Sequence, residues 1–249
     1  MHHRVAERFR DGRAFLLGDA AHIHSPVGGQ GMNTGIGDAV NLAWKLASVL
    51  RERDAASLLD SYEPERIAFA RRLVATTDRA FTGVTSSGPI ARLLRLKVVP
   101  VLFPLLFAFK FMPRFLFRAI SQTDVNYRGS GLNEGRAGPI RGGDRLPWVT
   151  VGSNDGDNFL PLRSLDWQVH VYGAAKAELR AACEARGLPL HVFSWRPEIA
   201  GAGLRRDAAY LVRPDGYIGL VSAESSAAAL TTYLDTHRIV PARLPGLPS

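Results

Sequence analysis

The sequence predicts a mixed α/β (α+β) chain in two parts, and three observations carry that expectation. An apolar run closed by glycine, followed by long 3.6-residue periodicities, fills the first half. A Gly-rich stretch interrupts the chain at residues 129–143, and short strand-like segments alternate with helical ones beyond it. With 249 residues the chain is long enough for two cores. The expected division is a helical part over 1–125, a linker over 126–145 and a second domain over 146–249.

In chain order, residues 13–18 (RAFLLG) read as a buried strand, and the loop from Asp19 to Gln30 hands over to a helix. From Met32 the apolar positions Ile36, Val40, Ala43, Leu46, Ala47 and Leu50 recur at steps of three and four, which predicts an amphipathic helix to about Arg53 with that face inward. Trp44 is expected in the core. A second helix is expected over 57–80, with Leu58, Leu59, Tyr62, Ile67 and Leu73 inward and a break or kink at Pro64. Helical, Pro-punctuated sequence continues to about Ser121. Within it, residues 98–117 (VVPVLFPLLFAFKFMPRFLF) approach the length of a bilayer span, but three prolines, Lys110 and Arg114 interrupt them. A buried or groove-lining helical segment is the expectation, with no integral membrane segment.

Beyond the Gly-rich connection the order is strand 167–172, helix 174–186, strand 190–194, strand 208–212, a turn at Arg213-Pro214-Asp215-Gly216, strand 217–221, and a last helix capped by Ser225. Proline presets φ and Asp-Gly accepts positive φ, so the turn predicts a tight hairpin. A βαβ unit followed by a hairpin and a closing helix is the element order of a thioredoxin-like domain. Where such a domain carries its CxxC this chain reads Tyr172-Gly173-Ala174-Ala175, so dithiol exchange is excluded. Cys183 is the single cysteine, which rules out an internal disulfide and points to a reducing, cytoplasmic setting.

Hydrophobic residues at 46% and charged residues at 22% place the chain among ordinary globular proteins. The net charge of +8 is spread along helical stretches, as at Arg51, Arg53, Arg71 and Arg72. No nucleic-acid motif accompanies it, and nucleic acid is not an expected partner. Residues 1–10 lack the apolar core of a signal peptide.

The richest stretch is residues 18–47, GDAAHIHSPVGGQGMNTGIGDAVNLAWKLA. Asp19, at a strand end, can accept hydrogen bonds from sugar-like hydroxyls or cap nearby amides. Gly28, Gly29 and Gly31 let backbone amides approach a ligand just before a helix N-terminus, where free N–H groups and the helix dipole favour negative charge. The stretch is neither a P-loop nor the dinucleotide GxGxxG. His22 and His24 lack a third ligand at suitable spacing, so no metal is expected, and His22 reads as a packing residue or a support for the loop. No Ser/His/Asp nucleophile arrangement is evident.

Taken whole, the stretch, with RAFLL before it, LLDSYEPERIAFARRLV after it and the LVRPDGYIG hairpin, resembles the C-terminal portion of the FAD-dependent aromatic-ring hydroxylases, the class A flavoprotein monooxygenases related to p-hydroxybenzoate and phenol hydroxylases. The resemblance covers nearly the entire chain and includes the thioredoxin-like appendage. It implies the C-terminal helical part of a FAD/NAD(P)-binding monooxygenase fold. It places Gly18, Asp19, Pro26, Gly28, Gly29, Gln30, Gly31, Met32 and Asn33 at FAD: Asp19 on a ribityl hydroxyl, the amides of Gly31, Met32 and Asn33 at the N1–C2=O edge, and Pro26 as the catalytic-face residue, its carbonyl on the substrate side near N5. The implied reaction uses NADH or NADPH and O2 to hydroxylate a phenolic or polyketide ring, in a possible homo-oligomer. The family's GxGxxG fold and Asp-Gly motif are not in this sequence and are expected upstream, so the chain reads as part of a longer hydroxylase. A bulkier polar residue is commoner in the family where this chain has Gly37. Two other readings stand beside it: a non-catalytic binding or oligomerisation module, and a flavoenzyme of the same fold that performs epoxidation or oxidative ring cleavage.

Overall fold

A computed structural model describes residues 4–23, 30–51, 54–85, 88–107, 121–151 and 156–241. The chain divides into two compact units, one of residues 1–40 and 62–125, the other of residues 41–61 and 126–249. Both are mixtures of helix and sheet. The division assigns residues 41–61 to the same unit as the C-terminal sheet.

In the first unit, β1 (Arg4–Val5) pairs antiparallel with β4 (His22–Ile23), and β2 (Arg10–Asp11) pairs with β3 (Ala14–Phe15). Gly12 turns this second hairpin at φ +58°, a left-handed conformation that suits glycine. The buried strand expected over 13–18 is therefore much shorter. The chain leaves the pairing after Phe15, Leu16 and Leu17 stay exposed, and Gly18–Ala20 form a single 3₁₀ turn. Helix α1 (Gly31–Leu50) follows, then α2 (Tyr62–Thr85), α3 (Pro89–Leu93) and α4 (Val99–Phe107).

The start of α2 explains the local sequence YEPER. Pro64 lies in its first turn, where a missing N–H costs nothing, so the break falls before the helix, at the 3₁₀ turn Ala56–Ser61. Glu63 Oε2 accepts the amides of Phe9 (2.7 Å) and Arg10 (3.1 Å), and the Tyr62 hydroxyl donates to the Leu16 carbonyl (2.8 Å). These bonds tie the β2–β3 hairpin and its exit to one helix end.

The apolar tract also differs from expectation. Val98, Val99, Val101, Leu102 and Leu105 are exposed. No described helix is long and apolar enough to cross a membrane. Residues 108–117 of that tract lie outside the described residues.

The second unit is built on a six-stranded sheet. Its strands are β5 (Glu134–Ala137), β6 (Ile140–Arg141), β7 (Gln168–Tyr172), β8 (Leu190–Phe193), β9 (Ala209–Val212) and β10 (Ile218–Ser222), in the order β6-β5-β10-β9-β7-β8. β7 and β8 are parallel, as are β5 and β10; the remaining pairs are antiparallel. The β5–β6 hairpin occupies the Gly-rich stretch that reads as a connection.

Both faces of the sheet are buried, and the two-residue period of a strand sorts its side chains between them. Val169 and Val171 of β7, Leu211 of β9 and Leu220 of β10 join Trp44, Leu58, Trp167, Leu179, Tyr233 and Leu234 on one face. Tyr172, Tyr210, Val212, Ile218 and Val221 join Leu146, Ile199 and Leu204 on the other. The register shifts between Ile218 and Leu220, which is why residues three apart share a face. Helices α5 (Ala177–Arg186) and α7 (Ala227–His237) contribute Leu179 and Leu234 to the first face; α6 (Pro197–Gly201) contributes Ile199 to the second. The cap of α7 is Ser226, whose hydroxyl accepts the Ala229 amide (3.2 Å), one residue beyond the expected Ser225. Ser225 instead donates to the Asp207 carbonyl.

Trp44 is in the core as expected, edge-on to Trp167 with ring centroids 5.6 Å apart. The rest of α1 reverses its expectation. Ile36, Val40 and Leu50 are exposed, and the buried positions of the helix include Thr34, Asp38, Asn41 and Lys45. That stripe has the spacing of a helix face, and hydrogen bonds rather than apolar contacts make its burial favourable.

Candidate functional site

The polar stripe of α1 organises the site from within the first unit. Asp38 is fully buried and uses both carboxylate oxygens. Oδ2 accepts the Gly18 amide at 3.0 Å and lies 2.6 Å from His22 Nε2; Oδ1 lies 2.5 Å from Arg66 Nε. Burial works to raise the Asp38 pKa, but the His22 hydrogen bond, the Arg66 charge and the Gly18 amide outweigh it and hold the carboxyl below the usual carboxylate range. The carboxylate form of Asp38 is thus the one this pocket favours. His22 thus packs and supports, as the sequence suggested.

Gly18 adopts φ +57°, and its Cα stands 3.4 Å from where a Cβ on Gly35 would lie. Two glycines therefore let the strand-end turn rest directly on the helix. Asp19 follows Gly18 in that turn and is exposed.

The first turn of α1 is held separately. The Thr34 amide and hydroxyl both donate to the Gln30 carbonyl, at 3.0 and 2.8 Å. Gln122 Nε2 reaches the same carbonyl (3.3 Å) and the Thr34 hydroxyl (2.8 Å), while an Arg66 terminal nitrogen donates to the Thr34 carbonyl (3.1 Å). Helix geometry leaves the amides of Gly31, Met32 and Asn33 without an intrahelical acceptor. Met32 and Asn33 are exposed beside them.

Of the residues singled out in the sequence, Gly18, Asp19, Gln30, Gly31, Met32 and Asn33 are described, in two segments held to the Asp38–Arg66 pair. Pro26, Gly28 and Gly29, with His24, lie outside the described residues. Sequence reasoning missed Thr34, Asp38, Arg66 and Gln122. The available signal was a polar residue at every third or fourth position of one helix, facing an arginine in the next. Among the described residues no group of three His, Cys, Asp or Glu side chains is placed to hold a metal ion.

The described parts fit a flavin. An exposed carboxylate can take a polyol hydroxyl, and helix N-terminal amides that lack an intrahelical acceptor suit an anionic or electron-rich edge.

Comparison with known proteins agrees with that fit. Residues 1–77 match the family described as FAD binding domain. The chain is 33% identical to 6-methylpretetramide 4-monooxygenase of Streptomyces rimosus, over 96% of this chain and 46% of that protein. It is 35% identical to an aromatic compound monooxygenase of Bacillus subtilis, over 86% of this chain and 41% of that one. Among solved structures, the anhydrotetracycline hydroxylase OxyS of Streptomyces rimosus superimposes with a TM-score of 0.72 at 32% identity, covering 94% of this chain and 46% of the other. The chain spans less than half the length of each of these relatives.

Proposed function

For a chain that belongs to the FAD-dependent aromatic-ring hydroxylases, we propose that residues 18–33 supply the ribityl and pyrimidine contacts of a FAD site in an NAD(P)H- and O2-dependent monooxygenase. The observation that carries this reading is the pairing of the exposed Asp19 turn and the first turn of α1 on one buried ion pair. Bound FAD, reduced by NADH or NADPH, would activate O2 for transfer of one oxygen atom to an aromatic ring.

The chain's own part is to bind and to polarise. Asp19 accepts from a ribityl hydroxyl. The amides of Gly31, Met32 and Asn33 donate to the N1–C2=O edge, where the helix dipole stabilises negative charge as it develops. The Pro26 carbonyl, on the substrate side, accepts only, since proline offers no N–H. The substrate class is a phenolic or polyketide aromatic compound, by analogy with relatives named for 6-methylpretetramide and anhydrotetracycline. The second unit's strand succession β7-α5-β8, then β9, β10 and α7, with β8-β7-β9-β10 adjacent, supports a thioredoxin-like fold lacking CxxC. A cytoplasmic protein that forms homo-oligomers completes the reading.

The experiment is to purify the protein as encoded and measure flavin content, NAD(P)H oxidation and product mass with polyphenolic substrates. Stoichiometric FAD, NAD(P)H consumption stimulated by substrate and a product one oxygen atom heavier are expected. D19A should lose about tenfold or more in FAD affinity, the size of one charge-assisted hydrogen bond. Protein that takes no FAD under any condition would refute the reading.

A further inference from the structure

We propose that Arg66 is a positioning residue for this flavin site, an inference that rests on the FAD reading above. Its guanidinium serves two acceptors on one helix, the Asp38 carboxylate at 2.5 Å and the Thr34 carbonyl at 3.1 Å. The other oxygen of Asp38 takes the amide of Gly18, the residue before Asp19. One cation therefore sets the first turn of α1, whose amides lack intrahelical acceptors, and through Asp38 the turn that presents Asp19.

The arrangement has little slack. Arg66 is 2% exposed, and a Cβ at position 37 would stand 3.1 Å from one of its terminal nitrogens, so Gly37 leaves the space the guanidinium fills. The Gly18–Gly35 approach fixes the third side. A planar fork holds two acceptors in fixed directions, whereas an ammonium keeps the charge without that geometry. Lysine at position 66 would therefore retain the ion pair with Asp38 and release Thr34.

The test compares wild-type protein with R66K, and with D38N as a second variant, in three measurements. These are FAD affinity with the visible spectrum of the bound flavin, peptide-level hydrogen exchange over residues 14–23 and 30–40, and thermal melting. R66K is expected to bind FAD about tenfold more weakly, the loss of one hydrogen bond to a charged group. Its flavin spectrum should move toward that of free FAD, and both peptides should exchange faster while the protein still melts cooperatively. D38N should accelerate exchange in the same two peptides. Wild-type protein that binds FAD while R66K matches it in affinity and spectrum overturns the role of Arg66 alone. Wild-type protein that takes no FAD overturns the FAD reading and this role together, and unchanged exchange in both variants overturns the structural hold itself.

Discussion

Replacing Asp215 by alanine should be among the most damaging single changes in the second unit. Arg213 and Asp215 form an ion pair whose side chains are 0% and 1% exposed. The guanidinium carbon stands 5.3 Å from the ring centroids of Trp44 and Tyr127 and 5.9 Å from that of Tyr217, an aromatic enclosure that suits a cation. Asp215 accepts from Arg213 at 2.7 and 3.1 Å, from the Trp44 indole at 3.0 Å and from Asn41 at 3.4 Å. Alanine would leave a buried cation without its counter-ion, which costs about 3–5 kcal/mol. The indole N–H would lose its acceptor as well, a further ~1–3 kcal/mol that overlaps with the first because the groups are coupled. A net loss of about 4 kcal/mol corresponds to a fall in melting temperature of roughly 10 °C for a unit of this size. Urea unfolding and calorimetry measure both. Because a buried pair is worth little more than well-packed apolar residues, R213M added to D215A should recover a large part of the loss. A loss below about 1 kcal/mol, or a double variant as unstable as D215A, would show that the buried charge is not what holds this corner.

Two further predictions concern buried titratable groups in the same unit. Burial, aided by the neighbouring His191, pushes the His170 pKa down to about 3, so the folded chain keeps it neutral where the unfolded chain protonates it. Stability should therefore decline as pH falls from about 6.5 toward 3, with a slope of up to about 1.4 kcal/mol per pH unit from this group. H170Q should flatten urea midpoints measured at pH 5, 6 and 7, and an unchanged slope would assign the effect elsewhere. Burial raises the Cys183 thiol to about 11, so a thiol reagent at pH 8 should leave the folded chain unlabelled and react fully in denaturant. Rapid labelling of the native protein would contradict the packing of α5 against the sheet.

How much of this was legible in the sequence depends on where each residue finds its partners. The strands β7, β8, β9 and β10 were readable because short runs rich in valine, leucine and aromatic residues and the Arg213-Pro214-Asp215-Gly216 turn are local signals. The β5–β6 hairpin was not, since glycine marks both turns and close backbone approach. Gly135 belongs to the second kind: a Cβ there would collide with the Val221 carbonyl of the neighbouring strand. The inward face of α1 was missed for a related reason. Apolar periodicity selected Ile36, Val40 and Leu50, whereas Asp38 is buried by Arg66 and His22, and Asn41 by Asp215, 174 residues away. A window of one helix shows the polar spacing but not these partners. Gly18 was legible because a positive φ and a close approach to Gly35 are both demands that glycine meets.

The buried stripe of α1 also governs what this helix tolerates. A helix seated by methyl groups alone can slide or roll a little, since one apolar contact replaces another. Hydrogen bonds do not substitute for one another in that way. A single residue inserted between Thr34 and Asp38 would rotate Asp38 about 100° around the axis relative to the first turn. Its carboxylate would leave the Gly18 amide, His22 and Arg66. The first turns of the helix are thus keyed to one register: closed to insertions and deletions between Thr34 and Asp38, yet open to substitution at Ile36, whose side chain is exposed.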